Sequence, residues 1–165
     1  MPYTLPHLNA LPVVEFTTAL GAVFEHSPWI AERAAARRPF ASLDSLHAAM
    51  CEVVENAGAG EQLALIRAHP DLVGRIVLTA ESKGEQAAAD LADLSAEEVV
   101  RFDNSNRDYK ARFGFPFVIC ARLNKKDAIL AAFPIRLKNS AGEERATALA
   151  EIFKIARLRL ADIIT

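Results

Sequence analysis

Three times from the middle of the chain onward a serine stands three residues ahead of a glutamate: Ser82 with Glu85, Ser95 with Glu98, and Ser140 with Glu143. At this spacing the serine oxygen accepts from the third N–H of a helix while the acid reaches back to the serine's own N–H, so each pair predicts a helix start. After Ser95, the residues Val99, Phe102, Asn106, Tyr109 and Phe113 trace one helical stripe until Gly114 and Pro116 stop it. After Ser140, Leu149, Ile152, Phe153, Ala156, Leu160 and Ile163 trace another.

The first half follows the same period. Val13, Phe16, Leu20 and Phe24 recur at helical spacing behind Pro12, which a first helical turn tolerates. Ser27 is the expected N-cap of a short second helix that Arg38-Pro39 ends, because the residue before proline avoids helical geometry. A third begins after Ser42, buries Leu46, Met50, Val53 and Val54, and is expected to end at a left-handed Gly58, with Gly58 to Gly60 a turn. Glu61 to Ala68 reads as a fourth, and Pro70 forces the chain out of helix around His69. Asn124 is expected to cap a further helix that Pro134 ends or bends. Only Phe117 to Ala121 reads as extended, too little for a sheet. The prediction is an all-α, single-domain multi-helix bundle over residues 1–165, with one short extended apolar segment and no repeat or linker.

At 165 residues and 52% hydrophobic content the chain can close a core without staples. A formal net charge of -2 argues against a nucleic-acid partner, which calls for a strongly basic face. Two cysteines, Cys51 and Cys120, suit buried free thiols in a reducing compartment. Met1 to Asn9 has no leader pattern, no apolar run is long enough to span a bilayer, and Ile163-Ile164-Thr165 is no peroxisomal address. A cytoplasmic protein with no membrane partner is expected.

Few residues stand out as chemistry. His69 in Arg67-Ala68-His69-Pro70-Asp71-Leu72 places an imidazole at a helix exit, where reactive groups are often presented, although a histidine beside proline is also an ordinary helix-terminus residue. Ser82-Lys83-Gly84-Glu85-Gln86 reads first as a plain cap, which does not exclude that a carboxylate or urea carbonyl docks on its free N–H groups. The run Phe113 to Ile119 reads as a buried connection. Its main-chain groups lack helical partners, and a planar, amide-rich ligand is one way to satisfy them. Arg157 and Arg159 are two apart on the last helix, so at most one faces inward. His47 and Cys51 are spaced i, i+4 for a metal, but no second pair accompanies them, and a metal site is rejected. Gly58-Ala59-Gly60 lacks the rest of a dinucleotide fingerprint. The scattered acids read as solvated helix faces.

In combination, Phe24-Glu25-His26-Ser27-Pro28-Trp29, Arg67 to Leu72, Thr79-Ala80-Glu81-Ser82 with Glu85-Gln86, Phe113 to Ile119 and Ile155-Ala156-Arg157-Leu158-Arg159-Leu160 resemble the OHCU decarboxylase family, whose substrate is 2-oxo-4-hydroxy-4-carboxy-5-ureidoimidazoline. The resemblance runs in order from about Leu8 to Ile164. It implies an all-helical homodimer that converts this ureidoimidazoline to (S)-allantoin and carbon dioxide in urate degradation, with neither metal nor organic cofactor. It makes His69 the catalytic histidine with Glu85 beside it. Pro70, Ser82, Lys83, Gly84, Gln86, the main chain of Phe117, Val118, Ile119, Cys120 and Ala121, and Arg159 become the substrate-binding set. Between Leu72 and Thr79 the chain is a few residues shorter than the family's bacterial members. Two other classes fit parts of the sequence: a helical interaction module, for which stripes and caps are the whole content, and a metal-dependent hydrolase of a related ureide, against which the poor His and Cys clustering argues.

Overall fold

A computed structural model describes residues 2–74 and 78–165 of the chain. Among the described residues there are nine α-helices: α1 (Leu5–Ala10), α2 (Val13–Leu20), α3 (Trp29–Ala34), α4 (Leu43–Glu55), α5 (Ala59–Arg67), α6 (Ala80–Ala88), α7 (Ala96–Phe113), α8 (Lys126–Arg136) and α9 (Ala141–Ile163). Two 3-10 turns, Ala35–Arg37 and Ala121–Leu123, complete them, and among the described residues pairing of the β type is confined to one isolated bridge between Tyr3 and Ile164. The protein is all-α. Contacts gather the helices into two compact units, Met1–Ala68 with Phe153–Thr165, and His69–Ile152; α9 runs through the division. No helix among the described residues is long and apolar enough to cross a membrane.

In the first unit, α2 packs on α3, α3 on α4 and α4 on α5, burying Phe16, Leu20, Ile30, Leu46, Met50, Val54, Leu65 and Ile66. Apolar residues at three- and four-residue intervals place each helix with its stripe inward. Asn9 clasps Phe40 in both directions, its Nδ2 donating to the Phe40 carbonyl at 2.9 Å and its Oδ1 accepting from the Phe40 N–H at 2.8 Å. Several helix ends differ from the sequence reading. α1 was not foreseen; it opens on Thr4, whose hydroxyl accepts from the His7 N–H. Pro12 and Pro28, rather than a first-turn proline and Ser27, occupy the N-cap positions of α2 and α3, and Ser27 Oγ instead donates to the Glu25 carbonyl at 2.9 Å. Gly58 is not left-handed. Its φ of -65° and ψ of 157° make it the extended N-cap of α5, which starts at Ala59, while Asn56 closes α4.

The second unit is built around aromatic rings. Phe117 stacks on Phe133 at 3.9 Å between centroids, meets Tyr109 edge-on at 5.2 Å, and Phe133 in turn takes the edge of Phe102 at 6.3 Å. Offset and edge-to-face pairs of this kind add to the area they bury. The predicted box at Ser95 and Glu98 opens α7, and Gly114, at φ 76°, closes it in the left-handed conformation. The box at Ser140 and Glu143 opens α9, with the Ser140 N–H on Glu143 at 2.7 Å and the Glu143 N–H on Ser140 at 3.1 Å. Lys125, not Asn124, is the N-cap of α8; the Asn124 amide turns back to the Cys120 carbonyl at 3.0 Å. Pro134 lies inside that helix, which ends near it, at Arg136. The expected extended run gives way at Ala121 to a 3-10 turn.

Candidate active site

α6 buries polar groups on the face where α2 and α4 bury apolar ones. Its buried positions are Ser82, Glu85 and Gln86, with Ala89 just past its end, the spacing of a single helix face. Lys83 and Gly84 lie exposed on the other side. Ser82 is not the N-cap. The helix starts one turn earlier, where the Thr79 hydroxyl accepts from the Ser82 N–H at 3.1 Å. Ser82 and Glu85 therefore sit inside the helix rather than at its mouth.

Buried polar side chains need partners, and those of Gln86 show what this face holds. Its Oε1 accepts from the Val73 N–H at 3.2 Å and its Nε2 donates to the Asp71 carbonyl at 3.4 Å. Both lie just after His69, which is itself buried beyond the end of α5. The same segment is tied to α7 by Asn106 Nδ2, 2.7 Å from the Leu72 carbonyl, and by Lys110, 2.8 Å from Asp71. Among the described residues Asn106 Oδ1 is buried without a hydrogen-bond partner. Val73 is held at φ 62°, a conformation that costs a β-branched residue strain. The shortened stretch expected between Leu72 and Thr79 is centred on residues 75–77, which lie outside the described residues.

α6 packs against the Ala121–Leu123 turn, so the end of the apolar run comes alongside the polar face. Phe117, Val118, Ile119, Cys120 and Ala121 are all buried. The main-chain groups of this run are only partly satisfied. Val118's carbonyl accepts from Arg136 at 2.5 Å, the Cys120 N–H donates to Glu151 at 3.2 Å, and the Cys120 carbonyl accepts from the Leu123 N–H at 3.1 Å. Among the described residues neither the N–H nor the C=O of Ile119 has a hydrogen-bond partner. Burial pushes the Cys120 thiol up, and the carboxylates of Glu151 and Glu85 push it the same way.

Arg159 belongs to the first unit. It is the inward one of the two candidate arginines: its Nη2 meets Glu25 at 2.7 Å and its Nη1 the Ala22 carbonyl at 3.0 Å, while Arg157 pairs with Asp44 at the surface. His47 Nε2 lies 2.8 Å from the Phe153 carbonyl, which only accepts, so this nitrogen carries a proton and has no lone pair for a metal. Among the described residues no three His, Cys, Asp or Glu side chains gather as a metal site would require.

Several charged residues are buried that the sequence pattern assigns to water. Glu25, Arg136, Glu144 and Glu151 are all buried, against the expectation that scattered acids face water. A signal existed for two of them: Glu144 and Glu151 fall in phase with Ala148, Ile152 and Ile155 on α9.

The second unit thus joins a buried histidine and a buried Ser-Glu-Gln face within an all-α fold. The OHCU decarboxylase family model matches residues 9–161, and the chain belongs to that family. It is 46% identical to the 2-oxo-4-hydroxy-4-carboxy-5-ureidoimidazoline decarboxylase of Haloferax volcanii, over 96% of this chain and 95% of that protein. Among solved structures it resembles (S)-allantoin synthase, with a TM-score of 0.81 at 30% identity over 98% of this chain and 54% of that one. It also resembles an OHCU decarboxylase crystallised in the presence of (S)-allantoin, with a TM-score of 0.71 at 26% identity over 90% and 95% of the two chains.

Proposed function

We propose that the protein decarboxylates 2-oxo-4-hydroxy-4-carboxy-5-ureidoimidazoline to (S)-allantoin and carbon dioxide, with His69 moving the proton. Family membership supports the reaction. The observation that carries the site is the inward polar face of α6, whose Gln86 binds the segment that follows His69.

In the substrate the carboxylate sits on a carbon next to a C=N bond. When the C–C bond to carbon dioxide breaks, its electron pair forms a ring C=C bond while the C=N pair moves to nitrogen, which takes a proton. No separate electron sink is called for. The hydroxyl on the first carbon then loses its proton and becomes a carbonyl, and the C=C pair takes a proton on the neighbouring carbon. An imidazole titrates in the range that lets it remove the first proton or deliver the second, and delivery to one face gives one enantiomer. Glu85 orients the imidazole or a ureido N–H, Ser82 and Gln86 bind the urea, and the main chain of 117–121 meets the ring amides.

Purified protein mixed with freshly generated substrate is expected to speed the appearance of optically active allantoin. His69→Asn should lower that rate by about 10² to 10⁴, the usual contribution of a positioned proton-transfer group, with the helical circular dichroism unchanged. A variant that keeps wild-type turnover after subtraction of spontaneous decay removes His69 from this role.

A further inference from the structure

We propose that Glu151 and Arg136 are positioning residues that hold the 117–121 main chain from one side, so that the amide groups of Ile119 face the opposite side toward the ligand. This rests on the decarboxylase reading and adds to it the device that sets the strip's orientation.

In extended backbone, such as Cys120 adopts at φ -71° and ψ 94°, successive residues turn their N–H and C=O groups to alternate sides. Val118 and Cys120 are both turned toward the α8–α9 framework, the first through its carbonyl on Arg136 and the second through its N–H on Glu151. Ile119 lies between them, nine-tenths buried, with its donor and acceptor unclaimed by described residues. Buried main-chain groups are rarely left so. One donor beside one acceptor matches the edge of a urea or a ring amide.

The holding groups are themselves fixed. Arg136 Nε meets Glu144 at 2.5 Å, its guanidinium lies 4.2 Å over the Phe117 ring, and Glu144 is fully buried. The Tyr109 hydroxyl and the Asn139 amide bring two more donors to that carboxylate, at 2.6 and 2.9 Å. Glu144 and Glu151 are seven apart on α9, two turns along one face. A charge-assisted hydrogen bond is shorter and stronger than a neutral one, which suits a part whose work is alignment.

The test compares Glu151→Ala, Glu151→Gln and wild type by steady-state kinetics and by calorimetric titration with allantoin. In Glu151→Ala the Cys120 N–H loses its acceptor, and KM and the allantoin Kd are expected to rise about tenfold with kcat changed less than threefold. Glu151→Gln keeps a carbonyl oxygen for that N–H and should return both constants to within about twofold of wild type. If Glu151→Ala does not fold, Glu151→Asp replaces it: the shortened reach should raise KM in a folded protein. A lowered melting temperature with KM and Kd unchanged makes Glu151 a structural strut and overturns the proposal. Wild-type protein that neither turns over the ureidoimidazoline nor binds allantoin fails at the decarboxylase reading itself, and the positioning role falls with it.

Discussion

Cys51 and Cys120 are buried free thiols, and because burial penalises the thiolate, Cys51 is pushed up to about 12 and Cys120 in the same direction. The thiolate is the reactive form, so near pH 8 the folded protein should react with a disulfide reagent far more slowly than the unfolded chain, by about 10³-fold at Cys51 if ionisation alone governs. Both thiols should titrate promptly in denaturant; prompt reaction of the native protein would contradict their burial. The sign for stability follows. An unfolded thiol ionises from about pH 9 upward while the folded one holds its proton, so stability is intact below pH 9 and falls as pH rises toward 12. At Val73 the left-handed backbone predicts the opposite of an ordinary substitution: Val73→Asn, a residue that tolerates this conformation, should raise the melting temperature, reflecting about 1 kcal/mol of relieved strain.

Among the elements, α6 separates capping from catalysis more sharply than the sequence could. Thr79 with Ser82 and Ser82 with Glu85 both have capping spacing, and nothing local chooses between them. Burial chooses: a helix starting at Thr79 turns Ser82, Glu85 and Gln86 inward together. Thr79→Ala should therefore cost stability by about 0.5 to 2 kcal/mol, whereas Glu85→Gln should lower turnover much more than the melting temperature. Equal effects of both on both measurements would undo this division. The boxes at Ser95 and Ser140 were legible because each has a glutamate three residues on and an apolar stripe behind it. At α7 the Ser95 N–H and then Lys126 hold Glu98 below the usual carboxylate range, so its contribution is present above about pH 4.5 and lost as pH falls through the lowered value. Glu98→Gln should flatten that acid limb in a stability profile. The inward phase of Glu144 and Glu151 on α9 was legible, but their partners were not, since these lie on α8 and in the 117–121 run, which no spacing within α9 can announce.

At the scale of the whole molecule the sequence predicts one domain, and the contacts describe two compact units with α9 passing through both. Its Ala141 to Ile152 portion belongs to one unit and its Phe153 to Ile163 portion to the other. Isolated helices shorter than about 12 to 15 residues are marginal in water, so neither portion is expected to persist alone once its continuation melts. The first unit is also discontinuous: Tyr3 meets the far end of α9, donating to the Ile163 carbonyl at 2.7 Å and accepting from the Thr165 N–H at 2.8 Å. Releasing α9 removes that closure along with buried Ile155, Ala156 and Leu160. We therefore expect a single thermal transition, with calorimetric and van't Hoff enthalpies equal and far-ultraviolet and near-ultraviolet signals coincident. Glu144→Gln, which leaves Arg136 buried beside an uncharged group, should lower that one transition by about 3 to 5 kcal/mol without splitting it. Two resolved transitions, with only the one reporting on Tyr109 shifted by Glu144→Gln, would mean that the units unfold independently and that α9 breaks between Ile152 and Phe153 when one of them melts.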